Sequence, residues 1–550
     1  MEKILIYQVF TRLFGNRNTT RIEHGTIAEN GCGKMNHFTA TELKRIAGMG
    51  FSHIWYTGII RHATQTDYSA FGIPRNHPAI VKGKAGSPYA ITDYYDVDPD
   101  LAVNVDKRMN EFEQLIQRTH QAGMKVIIDF VPNHVARQYM SLFKPRRVKD
   151  LGEGDNVTEG FNPQNNFYYC PGQPFVPYFD LYHGEKEPYQ EFPAKATGND
   201  HFDNAPGMND WYETVKLNYG VDYYAGRVGH FDPIPNTWLK MTDILLFWAK
   251  KGIDGFRCDM AEMVPAEFWA YATQIVKKKY KHIQFIGEVY NPNEYRRYLA
   301  SGFDYLYDKV GMYDTMRAVT CHQLPTSSIT QTWQQTDDIR NHMLYFLENH
   351  DEQRVASDFF AGVGNKGVPA LVASVLMQQN PFMLYFGEEY GERGMDKEGF
   401  SGLDGRTTIF DYWSVDTLCR AASKNLTEEE TQLFDLHKKL LNIARKEKAV
   451  TDGQFFDLMY VNGHLNRQYV FLRKAEDELL LVVVNFEDNP LSVDIHIPAH
   501  AFDYLLIPEK SVSATDLLSK QKCKITLQKD GIVTIPLESR SGCVWKIKSK

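Results

Sequence analysis

Residues Gly252–Met260 read GIDGFRCDM, and the way this stretch ends decides how the chain is built. Ile253 to Phe256 is a short apolar run of strand type, followed at once by a cation and a carboxylate. Side chains two apart on a strand share a face, so Arg257 and Asp259 are expected to point the same way. A buried carboxylate without a partner is costly, and an adjacent guanidinium lowers its pKa and holds it ionised. An isolated Arg–Asp pair serves structure as often as chemistry. This pair stands out because other strands end in the same manner.

Strand-like runs at Ile4–Phe10, His53–Tyr56, Lys125–Phe130, Ile253–Phe256, Ile283–Ile286, Phe303–Tyr307, His342–Leu347 and Phe382–Phe386 punctuate the chain. Helical periodicity falls between them at Ala40–Met49, Lys107–Gln121, Trp238–Lys251, Ala266–Lys279 and Pro369–Gln378, with a further helix at Glu428–Lys446. Strands alternating with helices predict an α/β chain with a parallel sheet. Eight strands with polar ends favour a closed (β/α)8 TIM barrel over an open sheet. Between His134 and Asn236 the alternation stops in a stretch rich in Pro, Gly, Asn, Tyr and Phe, such as FYYCPGQPFVPYFDLYHGEKEP. A structureless loop of that length is improbable, so 135–234 is read as a domain inserted after the third strand. From about Ala449, short strands such as ELLLVVVNF, VDIHIP, KITLQ, GIVTIPL and GCVWKIK are spaced by turns. They predict a C-terminal antiparallel β-sandwich over 449–550, leaving 1–134 and 235–448 to the barrel.

Composition narrows the function. A chain of 550 residues is too long for one core. Its net charge of −8 speaks against a nucleic-acid surface, and 13% aromatic content suits sugar stacking as well as large cores. Seven scattered cysteines without a CxxC pair suggest neither a zinc site nor a disulfide framework, and fit a reducing compartment. MEKILIYQVF enters a strand without a signal-peptide apolar region, and the longest apolar block, Leu479–Val484, is far too short for a bilayer. The expectation is a cytoplasmic protein with neither a membrane nor a nucleic acid as partner. Gly362, Gly364 and Gly367 spell GxGxxG, but no strand feeds them and no acidic residue follows at the dinucleotide-binding distance, so a loop is expected.

In a parallel barrel the C-terminal strand ends open on one face, which holds the active site. Those ends carry Asp129, Asn133 and His134 (DFVPNH), then Arg257 and Asp259, then Glu288 (FIGEVY), then His350 and Asp351 (FLENHDEQR). Three converging acids suit cleavage of a glycosidic bond, which needs an ionised carboxylate to attack and a protonated one to donate to the leaving oxygen. Arg257 is expected to keep Asp259 anionic. Glu288, facing two like charges and no cation of its own, is expected to have a raised pKa. Asp351, His134 and His350 have the chemistry to bind sugar hydroxyls.

DFVPNH, GFRCDM, GEV and ENHD, in this order, resemble the four conserved motifs of the α-amylase family, glycoside hydrolase family 13. IYQVFTRLF, SPYAITDYY, KLNY and NPFMLYFGEEYGE resemble further stretches of that family, so the likeness covers essentially the whole chain. The resemblance implies a retaining mechanism with Asp259 as nucleophile, Glu288 as acid/base and Asp351 as transition-state stabiliser. It implies sugar contacts for His134, Arg257 and His350, and an outer contact for Arg354. Tyr89 matches the aromatic that stacks on the cleaved glucose, although Pro88 stands where the motif has Gly. Asn133 matches a calcium ligand, so a structural calcium is admitted, while the chemistry itself needs no cofactor. DMAEMV lacks the Lys-His of many α-amylases and is closer to cyclomaltodextrinase and neopullulanase relatives. The function expected from the likeness is a hydrolase of α-1,4 links in maltodextrin, starch or cyclodextrin-type glucans. A 4-α-glucanotransferase of the same family and an inactive sugar-binding protein on this fold are the alternatives.

Overall fold

The computed structural model describes residues 2–180 and 186–548. Met1, the LYHGE segment of the insert and the last two residues of the C-terminal region lie outside it. Eight parallel strands close a barrel: β1 (Leu5–Phe10), β2 (His53–Thr57), β3 (Lys125–Phe130), β4 (Gly255–Cys258), β5 (Gln284–Gly287), β6 (Tyr305–Tyr307), β7 (Met343–Phe346) and β8 (Phe382–Tyr385). Each pairs with its neighbours in chain order, and β8 returns to β1. Almost every strand residue is buried, as expected where helices cover one face of a parallel sheet and the barrel interior covers the other. Ile6, Trp55, Ile127, Ile286, Leu344 and Met383, one from each of several strands, form a core cluster separate from the larger helix–strand core. This cluster fills the barrel, so the site is built on a packed floor.

The fourth strand starts and ends two residues later than its apolar run suggests. Arg257 and Cys258 sit inside the ladder, with Arg257 level with Asp129 on β3 and Ile286 on β5. A charged residue inside a barrel strand is tolerated because carboxylates meet its guanidinium there. After β2, the irregular antiparallel pair Ile60–His62 and Ile91–Val97 carries the loop holding Tyr89. The insert is pinned by three short antiparallel ladders, the first pairing His134–Ala136 with Thr214–Lys216.

Beyond the helix Glu428–Lys446, the C-terminal region forms a six-stranded sheet and a two-stranded one, both antiparallel. Two of these strands, Gln454–Asp457 and Lys510–Asp516, are not marked by the apolar pattern of the sequence. KSVSATD has few large apolar residues to mark a period, and most of it is only partly buried. Arg473, fully buried on Gln468–Ala475, donates to the carbonyls of Met377, Ala449, Val450 and Gly453 and so ties this sheet to the barrel. Gly364 of the GxGxxG run opens a short 3-10 helix, Gly364–Gly367, that leads into the helix Val368–Leu376, where a loop was expected. A Cβ there would meet the Gly391 Cα at 3.0 Å, so the glycine serves close backbone packing. Among the described residues no helix is long and apolar enough to cross a membrane.

Candidate active site

Asp259, Glu288 and Asp351 line one cavity of about 350 Å³ at the C-terminal mouth of the barrel, together with Tyr89, His134, Met260, Tyr290, Trp211 and Phe410. Arg257 lies beneath it, 1% exposed. Its Nη1 donates to Asp259 Oδ1 at 2.7 Å and lies 3.6 Å from Asp129 Oδ1, while its Nη2 is 2.8 Å from Glu288 Oε2. The Nη2 contact is close as an ion pair but is not aligned as a hydrogen bond. The expectation that Glu288 has no cation of its own is therefore corrected. One guanidinium serves both carboxylates, because its planar fork reaches from β4 to the end of β5. The rings of Trp55, Tyr89 and Tyr307 lie 5.2, 5.5 and 5.5 Å from the guanidinium carbon, and Tyr307 Oη accepts from its Nε at 3.2 Å. Aromatic walls of this kind hold the cation without neutralising it.

The electrostatics divide the acids. Burial pushes the Asp259 carboxyl well above the usual range; Arg257 opposes this, while Glu288 and Asp351 add to it. The expectation that Arg257 keeps Asp259 anionic is thus corrected: burial outweighs the pull of a cation that Glu288 shares. Asp351 goes the other way. Burial would raise it, but the neighbouring His350, with Arg257 and Arg406 behind, brings it down to about 2. Its side chain is 40% exposed at the rim, and His350 Nε2 lies 3.0 Å from its Oδ2. Asn349 Oδ1 accepts from the backbone N–H of Asp351 and Glu352, which shapes the ENHD turn and aims Asp351 at the cavity.

A polar chain orients the imidazole. Gln8 Nε2 stands 2.9 Å from His350 Nδ1, on the side of the ring away from Nε2. Tyr89 Oη stands 2.6 Å from that Nε2 and donates in turn to Asp129 Oδ1 at 3.4 Å. The Tyr89 ring stacks on His350, with centroids 5.2 Å apart. Burial raises the Asp129 carboxyl, Arg257 opposing, and Trp55 Nε1 and the Gly58 N–H donate to its other oxygen. His134 is buried against Trp211, and burial together with Lys216 and Lys82 lowers its pKa to about 3, so it meets a ligand as neutral imidazole.

Two residues expected at the site stand elsewhere. Arg354 is fully buried behind the mouth, donating to Glu348 Oε2, the Phe386 carbonyl and Thr407 Oγ1, and it is absent from the cavity lining. Arg406, also outside the cavity lining, donates from Nε to the Asp351 backbone carbonyl at 2.6 Å and so braces that residue from behind. Asn133 Oδ1, the oxygen a calcium would need, accepts from Lys216 Nζ at 2.6 Å, and the same ammonium is 2.6 Å from Asp200 Oδ1. Asn133 Nδ2 donates to the Gly198 carbonyl. A divalent cation does not fit beside an ammonium that already holds the same two oxygens. Lys216 thus bridges barrel and insert at that point. No group of three or more metal-ligating side chains occurs among the described residues.

Sequence reasoning missed Gln8, Trp55, Tyr290, Trp211 and Arg406. Gln8 carried a signal, being a polar residue inside the apolar run IYQVF. Trp55 lies inside the apolar run of β2, where an aromatic reads as core, and the places of Tyr290, Trp211 and Arg406 depend on how the loops fold around the mouth.

A parallel eight-stranded barrel whose mouth gathers three carboxylates around one caged arginine defines a barrel glycosidase. Comparison with known families agrees: the family described as "Alpha amylase, catalytic domain" matches residues 8–448, and "Alpha amylase, C-terminal all-beta domain" matches residues 460–548. The chain belongs to the alpha-amylase family of glycoside hydrolases. It is 24% identical over 420 residues to Alpha-amylase 3 of Dictyoglomus thermophilum, covering 72% of this chain and 74% of that one. It is 22% identical over 527 residues to Neopullulanase 2 of Thermoactinomyces vulgaris, covering 90% and 72%. Among solved structures, a noncanonic maltogenic alpha-amylase of Thermotoga neapolitana aligns over 99% of this chain and 98% of its own, with a TM-score of 0.63 and 19% identity. An alpha-amylase of Geobacillus thermoleovorans, solved with acarbose, aligns over 100% and 98%, with a TM-score of 0.62 and 18% identity. At these identities the structural likeness is one of fold.

Proposed function

We propose that this chain is a retaining α-glucan hydrolase. It cleaves α-1,4-glucosidic bonds of maltodextrin, starch or cyclodextrin-type substrates through a covalent glycosyl-enzyme. The observation that carries this reading is the pairing of Asp259 and Glu288 on the two terminal nitrogens of Arg257, with Asp351 across the same cavity. Retention needs two carboxyl groups about 5–5.5 Å apart, and acids sharing one guanidinium suit that spacing better than the wider gap of inverting enzymes.

In this reading Asp259 attacks the anomeric carbon while Glu288 gives a proton to the leaving oxygen. Glu288 then removes a proton from the water that breaks the ester. Asp351, anionic well below neutrality, binds hydroxyls of the ring and favours its positive charge as the bond breaks. Tyr89 supplies an apolar ring for the sugar face, and His134 and His350 reach its hydroxyls. Side chains alone supply this chemistry, and Lys216 in the place of a cation supports a site between barrel and insert that needs no calcium. Seven cysteines without disulfide partners support a cytoplasmic setting.

Proton NMR of maltotetraose cleavage tests the reading. The expected first product is the α-anomer; the β-anomer appearing first would sink the proposal. Product sizes from the same reaction separate hydrolysis from transfer, since oligomers longer than the substrate are the mark of a glucanotransferase.

A further inference from the structure

The acid/base role requires Glu288 to carry a proton in one half of the reaction and to lack it in the other, and its surroundings distinguish its two oxygens. Oε2 faces groups that can only donate: the Met260 backbone N–H hydrogen-bonds it at 2.8 Å, and Arg257 Nη2 lies 2.8 Å away. Met260 reaches this position through a left-handed backbone conformation, φ 43°, which is uncommon for a side chain of its size. A proton on Oε2 would point at these donors. Oε1 has one partner, the Tyr290 hydroxyl at 2.6 Å. A hydroxyl can donate or accept, so this oxygen alone suits both protonation states.

We propose that the proton delivered to the leaving group is carried on Glu288 Oε1, and that Tyr290 is the positioning residue that holds this oxygen in both half-reactions. The inference rests on the acid/base role given to Glu288 above and goes beyond it in assigning the proton to one atom and a partner to that atom.

The steps balance. With Glu288 protonated, Oε1–H donates to the Tyr290 oxygen until substrate arrives and then turns to the glycosidic oxygen. As the C–O bond breaks, its electron pair goes to the leaving oxygen, which takes the proton, and Glu288 becomes a carboxylate. The Tyr290 O–H then swings to donate to Oε1. In the second half the attacking water gives its proton to Oε1 while its oxygen bonds the anomeric carbon and Asp259 leaves with the ester electrons. Tyr290 returns to accepting. Burial, with Glu288 and Asp351 adding to it, holds the Tyr290 hydroxyl protonated throughout, so it acts as a hinge for a hydrogen bond and not as an acid.

The groups around Glu288 include Arg257, Met260, Asp259, Asp351, Tyr307 and Tyr290. Of these, Tyr290 can lose its contact by the removal of one oxygen without altering the charge of the site. A hydroxyl donating to a carboxylate stabilises the charged form. Tyr290→Phe is therefore expected to move the alkaline limb of kcat/KM for maltotetraose upward by about one pH unit. Turnover of maltotetraose should fall on the order of tenfold. With α-maltosyl fluoride, whose leaving group needs no proton, the first step, read as the pre-steady-state burst of fluoride, should run at close to the wild-type rate and so report a folded site, while hydrolysis of the resulting ester slows. Site-specific 3-fluorotyrosine at 290 keeps the shape and donates more strongly, so it should move the limb the other way. Unshifted limbs in both proteins, or a fluoride burst slowed as much as maltotetraose cleavage, would overturn the proposal. The underlying assignment fails separately: if Glu288→Gln retained full maltotetraose turnover, the acid would be wrong whatever Tyr290 does.

Discussion

Asp259→Asn is expected to lower kcat on maltodextrins by about 10⁴-fold or more, on the order seen when a nucleophile acting with partner groups is removed. The same change should leave the melting temperature unchanged or raise it. The two effects have opposite signs because the carboxyl is held where burial makes its charge costly. A group whose folded-state pKa lies above its unfolded value stabilises the fold at low pH and loses that contribution as pH rises through the folded value. The carboxylate form of Asp259 is thus a burden on the folded state, tolerated because Arg257 offsets part of it. Asparagine has the same shape and no charge. Glu288→Gln should cost about 10²–10⁴-fold on maltodextrins, the usual worth of a general acid. Steady-state kinetics with calorimetry on both variants check this. A variant at position 259 that melts many degrees lower would show that the carboxylate is a structural strut instead.

The second large effect lies with Arg257. Arg257→Met keeps the volume of the stem but removes the cation that Asp259, Glu288 and Asp129 share. Breaking a buried ion pair by deleting one partner costs about 3–5 kcal/mol, because the remaining charge is left uncompensated. Here three carboxylates lose their cation at once, and they should respond by taking up protons. The raised folded-state pKa values of Asp259 and Asp129 would then stand still further above the unfolded ones, so the deficit is largest near neutrality and shrinks as pH falls toward the carboxylate range. Urea unfolding of the variant at two pH values measures this, with catalysis lost at both. A deficit that does not change with pH would mean that the loss is one of packing against Trp55, Tyr89 and Tyr307, with the charge playing no part.

The parts of this site that the sequence made legible share a physical reason. Strand ends in a parallel barrel all face one way, so Asp129, Arg257, Glu288 and Asp351 could be placed by counting strands. The shape of the fork was not legible. That Arg257 holds Glu288 as well as Asp259 depends on barrel curvature, which brings the end of β5 within reach of a side chain on β4. Tyr290 lies two residues beyond Glu288, but nothing in GEVY says that its hydroxyl turns back. Lys216 lies inside a stretch, KLNY, singled out by its wording, and its charge would have warned against calcium at Asn133. It took the ladder between His134–Ala136 and Thr214–Lys216 to bring the two together. Arg354 illustrates the opposite error. Its spacing from Asp351 is short in sequence, yet the turn after Asp351 carries it under the mouth, while Arg406 from a later loop meets the Asp351 backbone.

The claim on which the mechanism depends is that Asp259 becomes covalently bonded to sugar. A fluorinated maltosyl fluoride that reacts quickly but is released slowly should leave one maltosyl adduct per chain, and peptide mass spectrometry should place it on Asp259. An adduct on Glu288 or Asp351, or none formed while the enzyme turns over normally, would contradict the account.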